Sequence, residues 1–381
     1  MSTHRPTRLI WQFVMIVVTV GAGSAAARGT TPSFRGIGDL PGGAYNSEAN
    51  AVSGDGTVVT GSGSTDTGWQ TFRWTSAGGL RPLGGLPGGG YWGYAWGASA
   101  DGSAVVGGTD SGQGYQAFLW TEGGMRGLGD LPGGGAESLA YGISSDATTV
   151  VGRSATAAGI EAFRWTQAGG MKSLGDLPGG DTLSVAYAPS ADGTAVAGVA
   201  TGSRGAEAFR WTAAGGMVGL GDLPGGALDS VAFDISADGS VVVGRAAGAR
   251  GAEAFRWTEA GGMVGLGDVG AGATDSQALA VSADGSVIVG SGARGAIIWD
   301  AAHGVRDLKQ VLTLDLGLDL TGWNLFSATG VSADGHTIVG RGSGPGGLEG
   351  WVAVVPEPAS AAALWAGAAG LLLSRSRRRR S

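Results

Sequence analysis

The sequence predicts an all-β fold: a seven-bladed β-propeller of four-stranded blades, closed by an N-terminal strand that completes the last blade. Three observations predict it. A Phe-Arg-Trp-Thr-like phrase recurs at Trp74, Trp120, Trp165, Trp211, Trp257 and Trp299, with a looser seventh copy at Trp351. A Ser-x-Asp-Gly-like turn keeps step with it at Asp55, Asp101, Asp146, Asp192, Asp238, Asp284 and Asp334. The spacing is 45 or 46 residues over most of the array, a period at which each repeat is one unit unable to bury its apolar face alone. The third observation lies at the ends. The last copy stops without a fourth strand, and residues 34–41, Phe-Arg-Gly-Ile-Gly-Asp-Leu-Pro, supply one ahead of the first complete copy.

The copy at residues 229–270 shows how each strand arises. Residues 230–236 alternate Val231, Phe233 and Ile235 with smaller or polar neighbours, the period of a strand. Ala237-Asp238-Gly239 reverses the chain, since Asp and Gly tolerate the positive φ of a tight hairpin. Residues 241–244 form a second strand, 253–258 a third, and 263–266 a fourth after Ala260-Gly261-Gly262. In three sister copies Asp-Leu-Pro-Gly-Gly stops the fourth strand, because Pro cannot donate to the ladder. An open stack has no reason to begin with its final strand. A closed ring uses that strand to join its termini and remove two exposed edges, so residues 34–40 are expected beside residues 350–354. The repeated Trp side chains read as structural, each able to bury roughly 150–250 Å² between blades, worth about 4–6 kcal/mol at ~25 cal/mol per Å².

Composition agrees with a folded repeat. Glycine supplies 78 of 381 residues, yet it follows no three-residue period, and 43% of the chain is apolar with 13 Trp, which excludes collagen and a disordered linker. The absence of Cys excludes disulfides, thiolate metal sites and a Cys nucleophile.

Both ends read as addresses. Residues 1–27 combine Arg5 and Arg8, an apolar stretch over 9–22, and Ser24, Ala25, Ala26 and Ala27 before the expected cut, the pattern of a secretory signal peptide. Residues 355–381 carry Pro356-Glu357-Pro358, an apolar stretch over 359–373, then Arg375 and Arg377, Arg378, Arg379 and Arg380. Such a stretch is marginal for a bilayer core of roughly 30 Å, and the arginines hold the tail in the cytoplasm, giving a temporary inner-membrane anchor. The three parts, in this order, resemble the PEP-CTERM sorting signal. That resemblance implies processing by an exosortase-type protease in a Gram-negative bacterium and delivery to the cell surface or extracellular matrix. Cutting after residue 27 and after the Pro-Glu-Pro removes seven arginines and leaves 17 basic against 31 acidic residues, net −14, a surface that repels phosphate backbones and disfavours nucleic acid as a partner.

The domain between, residues 28–354, has a resemblance of its own. Its Ala-Phe-x-Trp-Thr, Gly-Gly-Met-x-x-Leu-Gly-Asp-Leu-Pro-Gly-Gly and Ser-Ala-Asp-Gly-x-x-x-Val-Gly phrases are similar to the extracellular HAF repeat family. The His of that name is replaced here by Gln116, Glu161, Glu207 or Glu253, so no role of the His carries over.

Little chemistry stands out. His303 and His336 lie in different blades and make no metal site, and no cofactor is expected. Asp39, Asp130, Asp176, Asp222 and Asp268 recur at one position, where each reads as bonding amides in its own turn rather than sharing a calcium ion. Residues 309–325 form the one sizeable insertion, an extra edge strand or a short helix. The turn between second and third strands and the link into the next blade vary most, and both emerge on one face. There Trp69, Tyr91, Trp92 and Tyr115 fall outside the repeat pattern, placed to stack on sugar rings or on another protein. Tyr94 and Trp96 align with Leu139 and Tyr141 and read as core. The leading functional reading is a non-enzymatic surface or matrix protein that binds glycan or protein. The alternative is a polysaccharide hydrolase or lyase, which needs converging carboxylates. The first strands offer only Glu48 and Asp234, in non-neighbouring blades.

Overall fold

A computed structural model of the chain describes residues 31–270 and 274–356. The expected signal peptide lies outside the described residues, as does the sorting signal beyond Pro356, including Glu357, Pro358 and Arg377, Arg378, Arg379 and Arg380. The described fold is all-β apart from one short helical insertion.

One antiparallel four-strand unit repeats from Ser47 to Val354. In the first unit the strands are Ser47–Val52, Val58–Thr65, Gly68–Thr75 and Gly79–Pro82, paired in that order. The later units begin at strands Gly93–Ala98, Gly133–Ile143, Ser184–Pro189, Gly225–Ile235, Gln277–Val281 and Asn324–Val331. In the last unit the fourth position is taken by Ser33–Gly36, which pairs with Gly347–Val354 in the register Ser33↔Val354 to Gly36↔Trp351. Ile37 N–H continues the pairing to the Gly350 carbonyl at 3.0 Å. Glu349, only 6% exposed, accepts the Gly38 amide at 2.7 Å. The same bond occurs within complete units, where Glu207 accepts from Gly221 and Glu253 from Gly267, both at 2.9 Å. In these units the Glu two residues before the buried third-strand Phe, or before Trp351, thus fastens the turn after the fourth strand.

The hairpin turn is held by its Asp and Ser side chains as well as by its backbone. Asp238 accepts the Ser236 hydroxyl at 2.7 Å and the Ser240 amide at 2.9 Å, while Ser236 Oγ accepts the Val241 amide at 2.9 Å. Positive φ falls on the following residue alone, 72° at Gly239. Ala147, at φ 58°, is the one non-glycine with positive φ among the described residues and occupies this position in the third unit. The turns also join one unit to the next. Backbone bonds run from Asp55 to Ala100, Ala100 to Ser145, Ser145 to Ala191, Ala191 to Ala237, Ala237 to Ala283, Ala283 to Ala333, and from Ala333 back to Gly54, at 2.8–3.1 Å.

The core lies between adjacent units. Phe72, Phe118, Phe163, Phe209 and Phe255 are fully buried at one repeated position on the third strand. Each faces a second-strand glycine: a methyl group at Gly244 would overlap both the Val231 carbonyl and the Phe255 ring. Trp74 shares a core cluster with Val339 and Val352 of the last unit, and Trp165 with Val106 and Leu119 of the second. Trp351 departs from the expected alignment. It stands opposite Gly340, as Phe255 stands opposite Gly244, whereas Ala353 takes the place of Trp257. The seventh Trp therefore fills the Phe site, two residues from its sequence match, with 0% exposure.

The insertion is helical. Asp307 caps Leu308–Gln310 by accepting the Gln310 amide at 3.0 Å, and a π-turn Val311–Asp315 follows. Leu308, Leu312 and Leu320 are buried in the same core cluster as Trp351, while Leu314 is 73% exposed.

Candidate functional site

The first strand of every unit carries a β-bulge at one place. Pairing with the second strand skips one residue after a fully buried Ala: Asn50 after Ala49, Trp96 after Ala95, Tyr141 after Ala140, Tyr187 after Ala186, Phe233 after Ala232, Leu279 after Ala278 and Thr329 after Ala328. A bulge leaves its extra residue unpaired and re-aims the side chain. All these skipped residues line one central cavity of ≈ 190 Å³. The Ala repeats because the sheet packing requires it; the residue after it does not repeat.

Four of the skipped residues are aromatic, and they form an arc with two outer rings. Trp69 lies 6.1 Å from Tyr94, Tyr94 stacks on Trp96 at 5.6 Å and 7°, and Trp96 meets Tyr141 at 5.0 Å. Tyr141 to Tyr187 is 5.1 Å and Tyr187 to Phe233 is 5.6 Å. Tyr94 and Trp96 are therefore half-buried wall residues and not core, because their neighbours Gly93, Ala95 and Gly97 take the buried side of the strand.

A second cleft of ≈ 390 Å³ opens beside the arc, lined by Trp92, Tyr94, Trp96, Tyr115, Ala136, Glu137, Leu139 and Arg153. It brings together two of the four aromatics expected from sequence. Trp92 is 51% exposed, yet its backbone is fixed, its carbonyl accepting the Asp110 amide at 3.0 Å and the Thr109 hydroxyl at 3.2 Å. Tyr115 donates its hydroxyl to the Gly108 carbonyl at 3.0 Å, and burial pushes its phenol above the usual range. A parallel bridge joins Tyr115 to Glu137, so the link into the third unit runs along the second-to-third-strand turn of the second. The same juxtaposition recurs at Ile160/Leu183 and Asn46/Leu348. Tyr91, 53% exposed, lies on the rim outside the cleft, and Trp69 packs half-buried against Tyr94. Glu137 and Arg153, which sequence reading missed, face each other at 3.2 Å.

The first-strand carboxylates Asp234 and Glu48 are otherwise engaged, whereas one buried oxygen each of Asp39 and Asp130 has no hydrogen-bond donor. Asp234, in the wall of the central cavity, accepts the Ile235 and Val281 amides at 2.8 Å each, bridging adjacent units. Burial pushes its carboxyl up to about 7 against those two bonds. Glu48 pairs with Arg341 at 3.3 Å. Asp176 accepts the Leu177 and Leu183 amides, and Asp222 those of Leu223 and Asp229, as expected of residues closing their own turns. His303 bonds Asp300 at 2.7 Å, and His336 lies 2.8 Å from the Val355 carbonyl. Among the described residues no group of three or more His, Asp or Glu could hold a metal ion, and no helix is long and apolar enough to cross a membrane.

No family model and no curated protein matches the chain. Among solved structures it is similar to oligogalacturonate lyase from Vibrio parahaemolyticus, with a TM-score of 0.52 and 11% identity over 87% of this chain and 99% of that one. The putative TolB of Agrobacterium tumefaciens matches at 0.40 and 16% identity, over 57% of this chain and 79% of that one. TolB of Acinetobacter baumannii matches at 0.43 and 9% identity, over 79% of this chain and 64% of that one. At such identities the likeness to the lyase speaks for an all-β, propeller-like fold and for nothing of the activity.

Proposed function

We propose that the chain is an exported, surface- or matrix-targeted, non-enzymatic binding protein: a seven-bladed β-propeller whose variable face recognises a glycan or a protein. The blade count and closure are supported by the turn-to-turn hydrogen bonds that return from Ala333 to Gly54, and by the pairing of Ser33–Gly36 with Gly347–Val354. They are supported too by the cavity walled by the first strand of every unit. Membership of the HAF repeat family, export, the transient inner-membrane anchor and exosortase-type processing rest on the sequence phrases and end motifs alone.

The observation that carries the binding reading is the cleft under Trp92. It offers an exposed ring on a fixed backbone, a second aromatic wall at Tyr115, and the Glu137–Arg153 pair at its edge. Apolar walls with a few oriented polar groups suit a hydroxylated ligand that presents an apolar face. The enzymatic alternative is disfavoured because Asp234 spends both oxygens on backbone amides and Glu48 is paired with Arg341. A polysaccharide hydrolase needs two carboxyl groups facing one bond.

The test is an array of glycans and surface proteins probed with the full chain and with Trp92→Ala. Binding that weakens at least tenfold in the variant, with unchanged ligand, is expected. Turnover of any polysaccharide by the wild type would favour the enzymatic reading instead.

A further inference from the structure

We infer that the ligand of the cleft is a neutral, linear, β-linked glycan that runs from Trp92 across Trp96 and ends in the mouth of the central cavity. This rests on the reading of the cleft as a recognition site and adds the ligand's class, path and end point. Continuity is the first ground. Trp96 lines both the cleft and the central cavity, stacking on Tyr94 of the cleft at 5.6 Å and meeting Tyr141 of the cavity at 5.0 Å.

The bulge is the second. It turns one side chain per unit inward at a position where packing does not dictate its identity, yet Trp96, Tyr141, Tyr187 and Phe233 on four successive units are all aromatic, 5.0–5.6 Å apart. A packing requirement would have repeated around every unit. The aromatic run instead stops, and the opposite wall holds Asn50 and Thr329. Asn50, 8% exposed, donates its amide to the Ala95 carbonyl at 3.0 Å, while its Oδ1 has no hydrogen-bond donor. An arc of rings facing a wall that carries the polar side chains Asn50 and Thr329 suits the apolar face and hydroxyl edge of a pyranose with equatorial substituents.

Charge is the third ground. Arg153, the one cation lining the cleft, is held by Glu137 at 3.2 Å. Neither a uronate nor an amino sugar meets a free countercharge there, and leaving one unpaired in a partly desolvated site is costly. Size sets the end point. The cleft, at ≈ 390 Å³, is large enough for several contacts, whereas the ≈ 190 Å³ central cavity admits only the end of a chain.

The test titrates the full chain with cellobiose and chitobiose, with their hexamers, and with an oligouronate hexamer. One hexamer is expected to bind at least tenfold more tightly than its dimer. Tyr187→Ala and Phe233→Ala should remove that gain, bringing hexamer affinity down to that of the dimer, and Tyr187→Leu keeps apolar packing should the alanine variant fail to fold. Trp92→Ala should weaken dimer and hexamer alike. Equal affinity for dimer and hexamer would overturn the track while leaving the cleft intact. Binding of the uronate in preference to both neutral series, or of neither neutral series, would overturn the ligand class. Normal binding by Trp92→Ala would remove the cleft reading itself.

Discussion

Asp101 and Asp238 show how single residues hold the repeat. The amides and hydroxyls of Ser103 and Ser240, with the hydroxyls of Ser99 and Ser236, pull these carboxyls down to about 2. A folded-state value below the unfolded one stabilises above the ordinary carboxylate range and loses that contribution as pH falls toward the folded value. The melting temperature should therefore fall between pH 4 and pH 2, and Asp238→Asn should melt lower at pH 6 with a shallower acid fall. Asp234 has the opposite sign. Its carboxyl is raised to about 7 by burial, so the folded state favours the protonated form and loses stability as pH climbs from about 4 to about 7. Asp234→Asn, followed by melting across that window, should flatten the loss; an unchanged slope would show that Asp234 ionises freely.

At the scale of elements, the N-terminal strand Ser33–Gly36 depends on Glu349. Replacing it with Ala removes the acceptor for Gly38 N–H at a buried site, at a cost of about 1–3 kcal/mol. Amide exchange in residues 33–38 should accelerate while Gln277–Val281 stays protected; unchanged exchange would mean the strand is held by its ladder alone. Deleting residues 28–41 should lower the melting temperature or cause aggregation through an open edge.

Much at this scale was legible in the sequence. The Phe-Arg-Trp-Thr and Ser-x-Asp-Gly phrases marked strands and turns because one packing problem is solved repeatedly with the same residues. Trp351 misled because a Trp match is silent on register, and only pairing with Gly340 reveals that it fills the Phe site. The bulges after Ala95 and Ala140 left no composition signal, so Trp96 read as core. Glu137 and Arg153 were not legible as a pair, since their meeting depends on how the third unit's first strand turns back beside Tyr115.

For the whole molecule, we propose a rigid repeated scaffold with one individual face, delivered outside the cell. Delivery is checked by intact-mass measurement of protein recovered from its native surface. The mass should lack residues 1–27 and everything beyond the Pro356-Glu357-Pro358 region, whereas a chain still ending in Arg377, Arg378, Arg379 and Arg380 would contradict the sorting signal. The central claim, recognition through the face around Trp92, is tested most directly by titrating the strongest array ligand into wild type and Trp92→Ala, with melting recorded on the same samples. Because Trp92 is half exposed on a fixed backbone, the account predicts binding weakened at least tenfold, about 1.4 kcal/mol, and a melting temperature within about 2 °C of wild type. Equal binding by the two proteins would contradict it.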